Sequence, residues 1–491
     1  MNLTWSEYLS VQWQKLGNVL KHYLSNLTNT PNIYYSCVVD ASPLFYWQTW
    51  GLVNSLIELA KVSPKQIYVH YTREVNPAFL DELRAIGVVL RESERFGDGK
   101  YCNKIARLKT PEFTTARCVV FLDTDTIVLG ELSAIYSDRV IKGKIVDLAN
   151  PKLSVLQTIL KRAGFGDYPD LCPADYEPNP TFKNNLNGGL YVIPGTLVKQ
   201  IGERWQHWAL WLLDNLEILE RVNKQAHVDQ ISFAMACHEL SIPVENIGRK
   251  YNHPLHLPED KIGYPLILHY HRNISPTGTL EVAGEQDFEF QQAIADANRL
   301  LGSSFNNQIF WSFRYQVFSD LGSGVGSRGE NLSYKRSLLQ NLGIENSQSI
   351  LDVGCGDLEV IKNFHLPNYL GVDVSPQAIE LARQKRPDLE FVLLDRHNSD
   401  RLPTADTVIC LEVSIHQPTL EDYQQLIELL VQKTHNKLIV SGYTKPQPHH
   451  ESNHMVHFHE SLLDSLQKTQ QFSSIEIVGQ HSDVQIILAV K

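Results

Sequence analysis

The chain has 491 residues, too many for a single core, so two or three domains are expected. A hydrophobic content of 43% and a charged content of 20% fit ordinary globular protein, and a net charge of −11 argues against non-specific nucleic-acid binding. The seven cysteines are scattered, with no Cys-x-x-Cys pair, which argues against a disulfide framework or a zinc knuckle and for a reduced, cytoplasmic protein. No apolar run reaches the length of a membrane span, and the N-terminus lacks the basic-then-apolar order of a secretory signal.

Residues 3–24 place Leu3, Trp5, Leu9, Trp13, Leu16, Leu20 and Leu24 at helical spacing, predicting an amphipathic helix. Its only cations are Lys15 and Lys21, so docking on its own domain or on a second copy is favoured over contact with a membrane surface. From residue 33 to about residue 300, short β-rich runs alternate with helices, which predicts an α/β layered domain. The strand candidates are 33–40, 66–72, 118–123, 188–194 and 265–271. Helices are expected over 46–61 and around Trp205, Trp208 and Trp211, the latter an aromatic stripe that reads as core or interface rather than a sugar platform. Residues 301–333, rich in Gly, Ser and Asn at 301–308 and 319–333, are expected to be a linker or ordered loop. A second α/β series, 334–491, offers seven strand candidates, helices between the early ones and a closing hairpin, which predicts a doubly wound sheet.

Two places carry chemistry. The apolar strand "CVVFL" runs straight into "DTD", putting Asp123 and Asp125 on one side of the chain. Carboxylates seldom end a buried strand unless paired or bound to a cation, and two hard oxygen ligands suit Mg²⁺ or Mn²⁺. Further on, "LDVGCGDLEV" reads as a strand, a Gly-rich turn and a helix start, and the next strand ends in Asp373, placed to take ribose hydroxyls. Position 359 is Glu rather than Gly, which argues against a dinucleotide clamp.

The ordered motifs "NKIARL", "VVFLDTDTIVLGEL", "LNGGLYV", "HVDQISFA" and "LILHYH" resemble the glycogenin-like and bacterial galactosyltransferase-like glycosyltransferases over about residues 33–275. That resemblance implies a GT-A fold in residues 1–300 and retaining transfer from a nucleotide-sugar, with a UDP-sugar the first expectation. It implies Asp123, Asp125 and His269 as metal ligands, with His271 the alternative to His269. Asn187, Gly188 and Gly189 would meet the donor sugar, and Asp229 and Gln230 would lie near the anomeric carbon. Lys104 and Arg107 would face the donor phosphates or sugar, and Asp40 the base. Gln230 is neutral and a poor covalent nucleophile, so front-face attack is favoured over double displacement. The family's Gly-x-x-Lys-Pro-Trp clamp is missing; "HYHRNISPTGTL" offers Arg272 in its place.

"DVGCG", "GVDVS", "FVLLD" and "ADTVICLEVSIHQ" resemble the class I S-adenosylmethionine-dependent methyltransferases, over about residues 308–491. "SGVGSRGENLSYKR" and "CLEVSIHQ" are similar to the nodulation-type members acting on amino-sugar oligosaccharides. This implies Asp352, Gly354 and Gly356 at the methionine end of the cofactor, Asp373 on its ribose and Asp395 facing adenine. Arg328 would take its carboxylate, with Glu412 and His416 near the methyl group. His416 is the expected base for a hydroxyl acceptor. "HHESNHMVHFHE" reads as a loop over the acceptor pocket in preference to a metal site. Together these resemblances imply a bifunctional enzyme that glycosylates and methylates a glycan or lipid-linked glycan. The alternatives are a glycosyltransferase whose C-terminal domain only binds S-adenosylmethionine as a regulatory or scaffolding module, or an amino-sugar N-methyltransferase.

Overall fold

The structure is a computed structural model that describes residues 32–257, 263–282, 287–395, 398–447 and 455–491. The helix expected over 3–24, and His449, His450 and His454, lie outside the described residues.

The N-terminal half is built on a seven-stranded mixed sheet. Its order is Val244–Asn246, Ile141–Ile145, Leu186–Pro194, Cys118–Leu122, Ile33–Val39, Ile67–Tyr71 and Val89–Glu92. Ile33–Val39 runs parallel to both Cys118–Leu122 and Ile67–Tyr71, whereas Leu186–Pro194 is antiparallel to Cys118–Leu122. Every residue of the Cys118–Leu122 and Leu186–Pro194 strands is buried, because helices cover both faces of the sheet centre. Alternation then assigns side chains to two cores. Val119 and Phe121 pack with Trp205 and Phe233, while Cys118, Val120 and Leu122 join the core of Trp47 and Leu52. The Trp-rich helix, Gly195–Asp214, buries Trp205 and Trp208, as the core reading of its stripe anticipated.

Past Leu122 the chain leaves the sheet. Thr126–Val128 enters a three-stranded sheet, antiparallel to Ile267–His269, with His269 opposite Thr126. That register carries the histidine to the two aspartates.

All seven strands predicted for the C-terminal half are present. They form one sheet in the order Glu390–Leu393, Tyr369–Asp373, Ile350–Val353, Ala405–Cys410, Thr434–Gly442, Val484–Val490 and Ser474–His481. The first five strands are parallel and the last two antiparallel, ending in a hairpin. The chain is thus α/β, with a seven-stranded mixed sheet in its N-terminal half followed by a Rossmann-like sheet in its C-terminal half.

The span expected to be a linker differs. Phe288–Ser303 and Asn307–Val317 are helices, the second capped by the Asn306 side chain, which accepts from the amide of Ile309. Ile309, Phe310 and Phe313 sit at helical spacing and are buried in the first core. The polar flanks at 301–308 and 319–333 hid this short apolar stripe. No described helix is long and apolar enough to cross a membrane.

Two candidate active sites

The first site gathers at the end of the Cys118–Leu122 strand. One ligand atom each from Asp123, Asp125 and His269 lies within 4.8 Å of the others. His269 Nε2 is 3.3 Å from Asp125 Oδ1, and its Nδ1 is 3.0 Å from Asn252 Oδ1. An amide oxygen only accepts, so Nδ1 carries a proton and Nε2 is left facing the aspartates; burial works against a charge on the ring, but Asp125 raises its pKa. Burial pushes the Asp125 carboxyl up, but the imidazole of His269 outweighs it and holds the group below its usual range. Two carboxylates and one imidazole suit Mn²⁺ or Mg²⁺. His271 is not a member of this group. Its ring stacks on His269 with centroids 3.8 Å apart, and its Nδ1 turns back to the carbonyl of His269.

Lys104 Nζ lies 2.8 Å from Asp123 and 3.1 Å from Asp229, so it joins the metal triad to the first turn of the Val228–Glu239 helix. Burial works against its charge, but these two carboxylates raise its pKa regardless. Gly189 sits where a side chain cannot, and Gly188 is closely packed beside Lys104. A Cβ on Gly189 would lie 2.5 Å from the His269 ring, and one on Gly188 would lie 3.3 Å from Lys104 Nζ. Gln230 accepts the Gly188 amide at 3.3 Å, and Asn187 donates to Asp147 at 2.6 Å while accepting from Gly189 and Asn252. Asp40 accepts from Asn103 at 3.0 and 3.1 Å, and burial raises its pKa.

Arg107 corrects an expectation. It is 1% exposed, donates to the carbonyls of Ser36 and Leu122, and lies over the Phe121 ring, so it props the strands from beneath and does not face the cleft. Arg272, offered in place of the missing clamp, is exposed in the turn beyond His271.

The second site is a cavity of about 200 Å³ at the carboxyl ends of the parallel strands, lined by Asp352, Gly354, Asp373, Glu412, His416 and Trp311 among others. The turn after Ile350–Val353 needs glycine at Gly354 and Gly356, whose φ angles are +78° and +56°. Asp373 Oδ2 accepts the Gly356 amide at 2.9 Å and Oδ1 the Ser375 amide at 2.8 Å. Burial pushes the Asp373 carboxyl up to about 6, and that of Asp352, which accepts from the Tyr369 hydroxyl, up to about 7. His416 Nδ1 lies 2.5 Å from the carbonyl of Met455. A carbonyl only accepts, so Nδ1 is protonated and Nε2 keeps a lone pair, while burial holds the ring below its ordinary pKa and therefore neutral near pH 7.

Three expected roles change here. Glu412 lines the cavity, where it was expected, but its Oε1 pairs with Lys335 at 2.7 Å and His481 at 2.8 Å, which makes it an anchor rather than a free catalytic group. Burial raises its carboxyl, yet these partners bring it down to about 2. Arg328 pairs with Asp357 at 2.5 Å and is outside the cavity lining, so its charge is already matched by protein. Asp395 is exposed; the side chain that lines the cavity at this strand end is its neighbour Leu394, turned inward by alternation.

Sequence reading missed Lys335, His481, Trp311 and Tyr315 at the second site and Asp147 and Asn252 at the first. Only Lys335 lies in a quoted motif, "SGVGSRGENLSYKR", which gave no sign that it would reach Glu412. Only the helical stripe 309–313 offered a signal, and it points to the helix rather than to the cavity face.

Among solved structures, the WbbM bifunctional glycosyltransferase is similar at 14% identity over 55% of this chain and 50% of that one, with a TM-score of 0.33. The magnesium protoporphyrin IX methyltransferase of Synechocystis PCC 6803 with bound SAH is similar at 20% identity, over 33% of this chain and 82% of that one, with a TM-score of 0.28. The N-methyltransferase NodS of Bradyrhizobium japonicum WM9 is similar at 17% identity, over 33% and 93% of the two chains, with a TM-score of 0.27. Residues 350–434 match the family model described as a methyltransferase domain, and the C-terminal half of this chain carries such a domain.

Proposed function

We propose that this chain is a bifunctional transferase. Its N-terminal half moves a sugar from a UDP-sugar to a glycan or lipid-linked glycan, and its C-terminal half methylates a sugar hydroxyl of such a glycan with S-adenosylmethionine. The observation that carries the sugar-transfer reading is the convergence of Asp123, Asp125 and His269 beside Lys104 at the end of a buried strand. A structural ion pair alone would not require two aspartates, an oriented histidine and two glycines cleared of side chains at one point. A bound Mn²⁺ or Mg²⁺ supplies charge neutralisation for a nucleoside diphosphate leaving group.

The chain's own residues do the rest. Lys104 holds Asp123 in place and brings a cation to the same cleft. Asn252 fixes the His269 tautomer. Gly188 and Gly189 leave the backbone free for a sugar to approach, and Gln230, with Asp229 beside it, presents amide and carboxylate oxygens to an electron-poor anomeric carbon. Gln230 is neutral and Asp229 is paired with Lys104, so neither is a ready nucleophile and front-face attack with retention is the favoured course.

In the second site, Asp373 presents a carboxylate at the end of the second strand, where a nucleoside ribose would be held, and the Gly354–Gly356 turn lets its backbone close on the cofactor. His416 Nε2 takes the proton from a sugar hydroxyl as its oxygen attacks the methyl carbon, while the C–S bond breaks and the sulfonium becomes a thioether. With Nδ1 committed to Met455, the imidazolium formed is stabilised by that carbonyl. Mass spectrometry of products from a panel of donor sugars and acceptors, with and without S-adenosylmethionine, tests the proposal. A hexose-sized mass gain that needs the donor, and a methyl-sized gain that needs S-adenosylmethionine, are expected. Methylation without any sugar transfer or donor hydrolysis would refute the bifunctional reading.

A further inference from the structure

The two sites are joined by one helix, Asn307–Val317, whose faces serve both. On one face, Phe310 and Phe313 hold the Trp47 ring, with centroids 5.5 and 5.7 Å away. The residue after Trp47, Gln48, accepts from Thr124, which lies between the two metal-site aspartates, and donates to the carbonyl of His271. On the other face, Trp311 lies edge-on to His416 at 5.0 Å, Asn307 donates to the His416 carbonyl, and Tyr315 meets Ser323 of the Gly-rich loop.

Between these faces lies Arg314, 7% exposed. Its Nη1 donates to the carbonyl of Pro276 at 2.6 Å, in the turn that follows His269 and His271. Its Nε donates to the carbonyl of Gly322 at 2.9 Å, in the loop whose Ser323 and Ser327 wall the cofactor cavity. The turn has little room to shift alone, since a Cβ on Gly278 would lie 2.7 Å from Trp47. The loop turns on Gly322 and Gly324, whose φ of +45° and +95° only glycine adopts readily, so its path depends on these two residues. A guanidinium is a rigid planar fork, so its two acceptors cannot shift independently without breaking a buried hydrogen bond.

We infer that Arg314 is a positioning residue shared by both sites, linking the turn behind His269 to the loop over the methyltransferase cavity so that a ligand in one site changes affinity in the other. The inference rests on the two-site reading above. A ligand in the cavity settles the 321–327 loop through its contacts with Ser323 and Ser327. Arg314 passes that ordering to the 275–278 turn, and the second ligand then meets a site already set. Linkage requires the effect to be reciprocal.

The test is calorimetric titration of the full chain with UDP plus Mn²⁺ and with S-adenosylhomocysteine, each alone and each with the other saturating. In the native protein each ligand should tighten the other by the same factor, about fivefold or more, at the lower end of usual coupling between linked sites. In Arg314→Gln each ligand alone should bind nearly as before while the factor falls towards one, and Arg314→Lys should restore part of it. A native factor within about twofold of one, or a full factor surviving in Arg314→Gln, overturns the inference. Failure of UDP and Mn²⁺ to bind even alone overturns the donor-site reading and the inference with it. Hydrogen exchange in the native chain needs no variant. S-adenosylhomocysteine should slow exchange across residues 273–282, and unchanged exchange there counts against the link.

Discussion

Replacing Gly189 by alanine should cripple the first site without touching a ligand. A Cβ there would stand 2.5 Å from both Cε1 and Nδ1 of His269, whereas ordinary contact begins at 3.4 Å, so the ring must retreat by about 0.9 Å. The ring is confined. Its side chain is 6% exposed, Nδ1 is held by Asn252 at 3.0 Å, and the His271 ring stacks at 3.8 Å. Metal–ligand distances tolerate only about ±0.2 Å, so His269 Nε2 would leave coordination range. Disturbing the groups that orient a ligand commonly costs about 10–100-fold in metal affinity, or about 1.4–2.8 kcal/mol. Mn²⁺ titration followed by electron paramagnetic resonance, at fixed UDP, should show a loss of that size in Gly189→Ala. Gly188→Ala should change little, because its nearest neighbour is the flexible end of Lys104. Affinity within about twofold of native in Gly189→Ala would refute the role given to His269.

Other consequences follow from the same geometry. Asp125→Ala should abolish metal-dependent sugar transfer and donor hydrolysis, and excess chelator should do the same to the native chain; undiminished turnover in chelator would contradict this. Asp373 is raised to about 6, so S-adenosylhomocysteine, which needs its ionised form, should bind about tenfold more weakly at pH 5 than at pH 7.5, and Asp373→Asn should flatten that slope. Because burial raises this carboxyl, the ligand-free fold binds its proton more tightly than the unfolded chain does. The group's contribution to stability is therefore full at acid pH and lost as pH rises from about 4 through about 6, which calorimetric melting across that range can check. His416→Ala should slow methylation of a hydroxyl acceptor by about 10²–10⁴-fold, with the deficit shrinking at high pH where the hydroxyl ionises more easily; a loss under about threefold would retire His416 as the base.

How far the sequence carried depends on what each feature needs. The strands were legible because a buried strand shows itself locally: "CVVFL", "GGLYVIP" and "VQIILAV" are apolar runs flanked by polar residues or turns, and each became a buried strand. Asp123 and Asp125 were legible because a carboxylate at such an end needs a reason. His269 became certain as their neighbour only through the antiparallel register of Ile267–His269 on Thr126–Val128, a long-range pairing no local pattern encodes. Arg107 misled because a cation near a DxD strand reads as a phosphate contact, and only burial against the carbonyls of Ser36 and Leu122 shows otherwise. Glu412 misled in the same way, since Lys335 and His481 reach it from distant helix and strand. The Asn307–Val317 helix was obscured by Gly- and Ser-rich flanks, and its double role exists only once both halves are folded.

Native mass spectrometry of the full chain with Mn²⁺, UDP and S-adenosylhomocysteine together tests the central claim most directly. The account predicts that a single chain carries both ligands at once, that Asp125→Ala loses only UDP with its metal, and that Asp373→Ala loses only S-adenosylhomocysteine. A chain that takes up S-adenosylhomocysteine but never UDP with Mn²⁺ would contradict it.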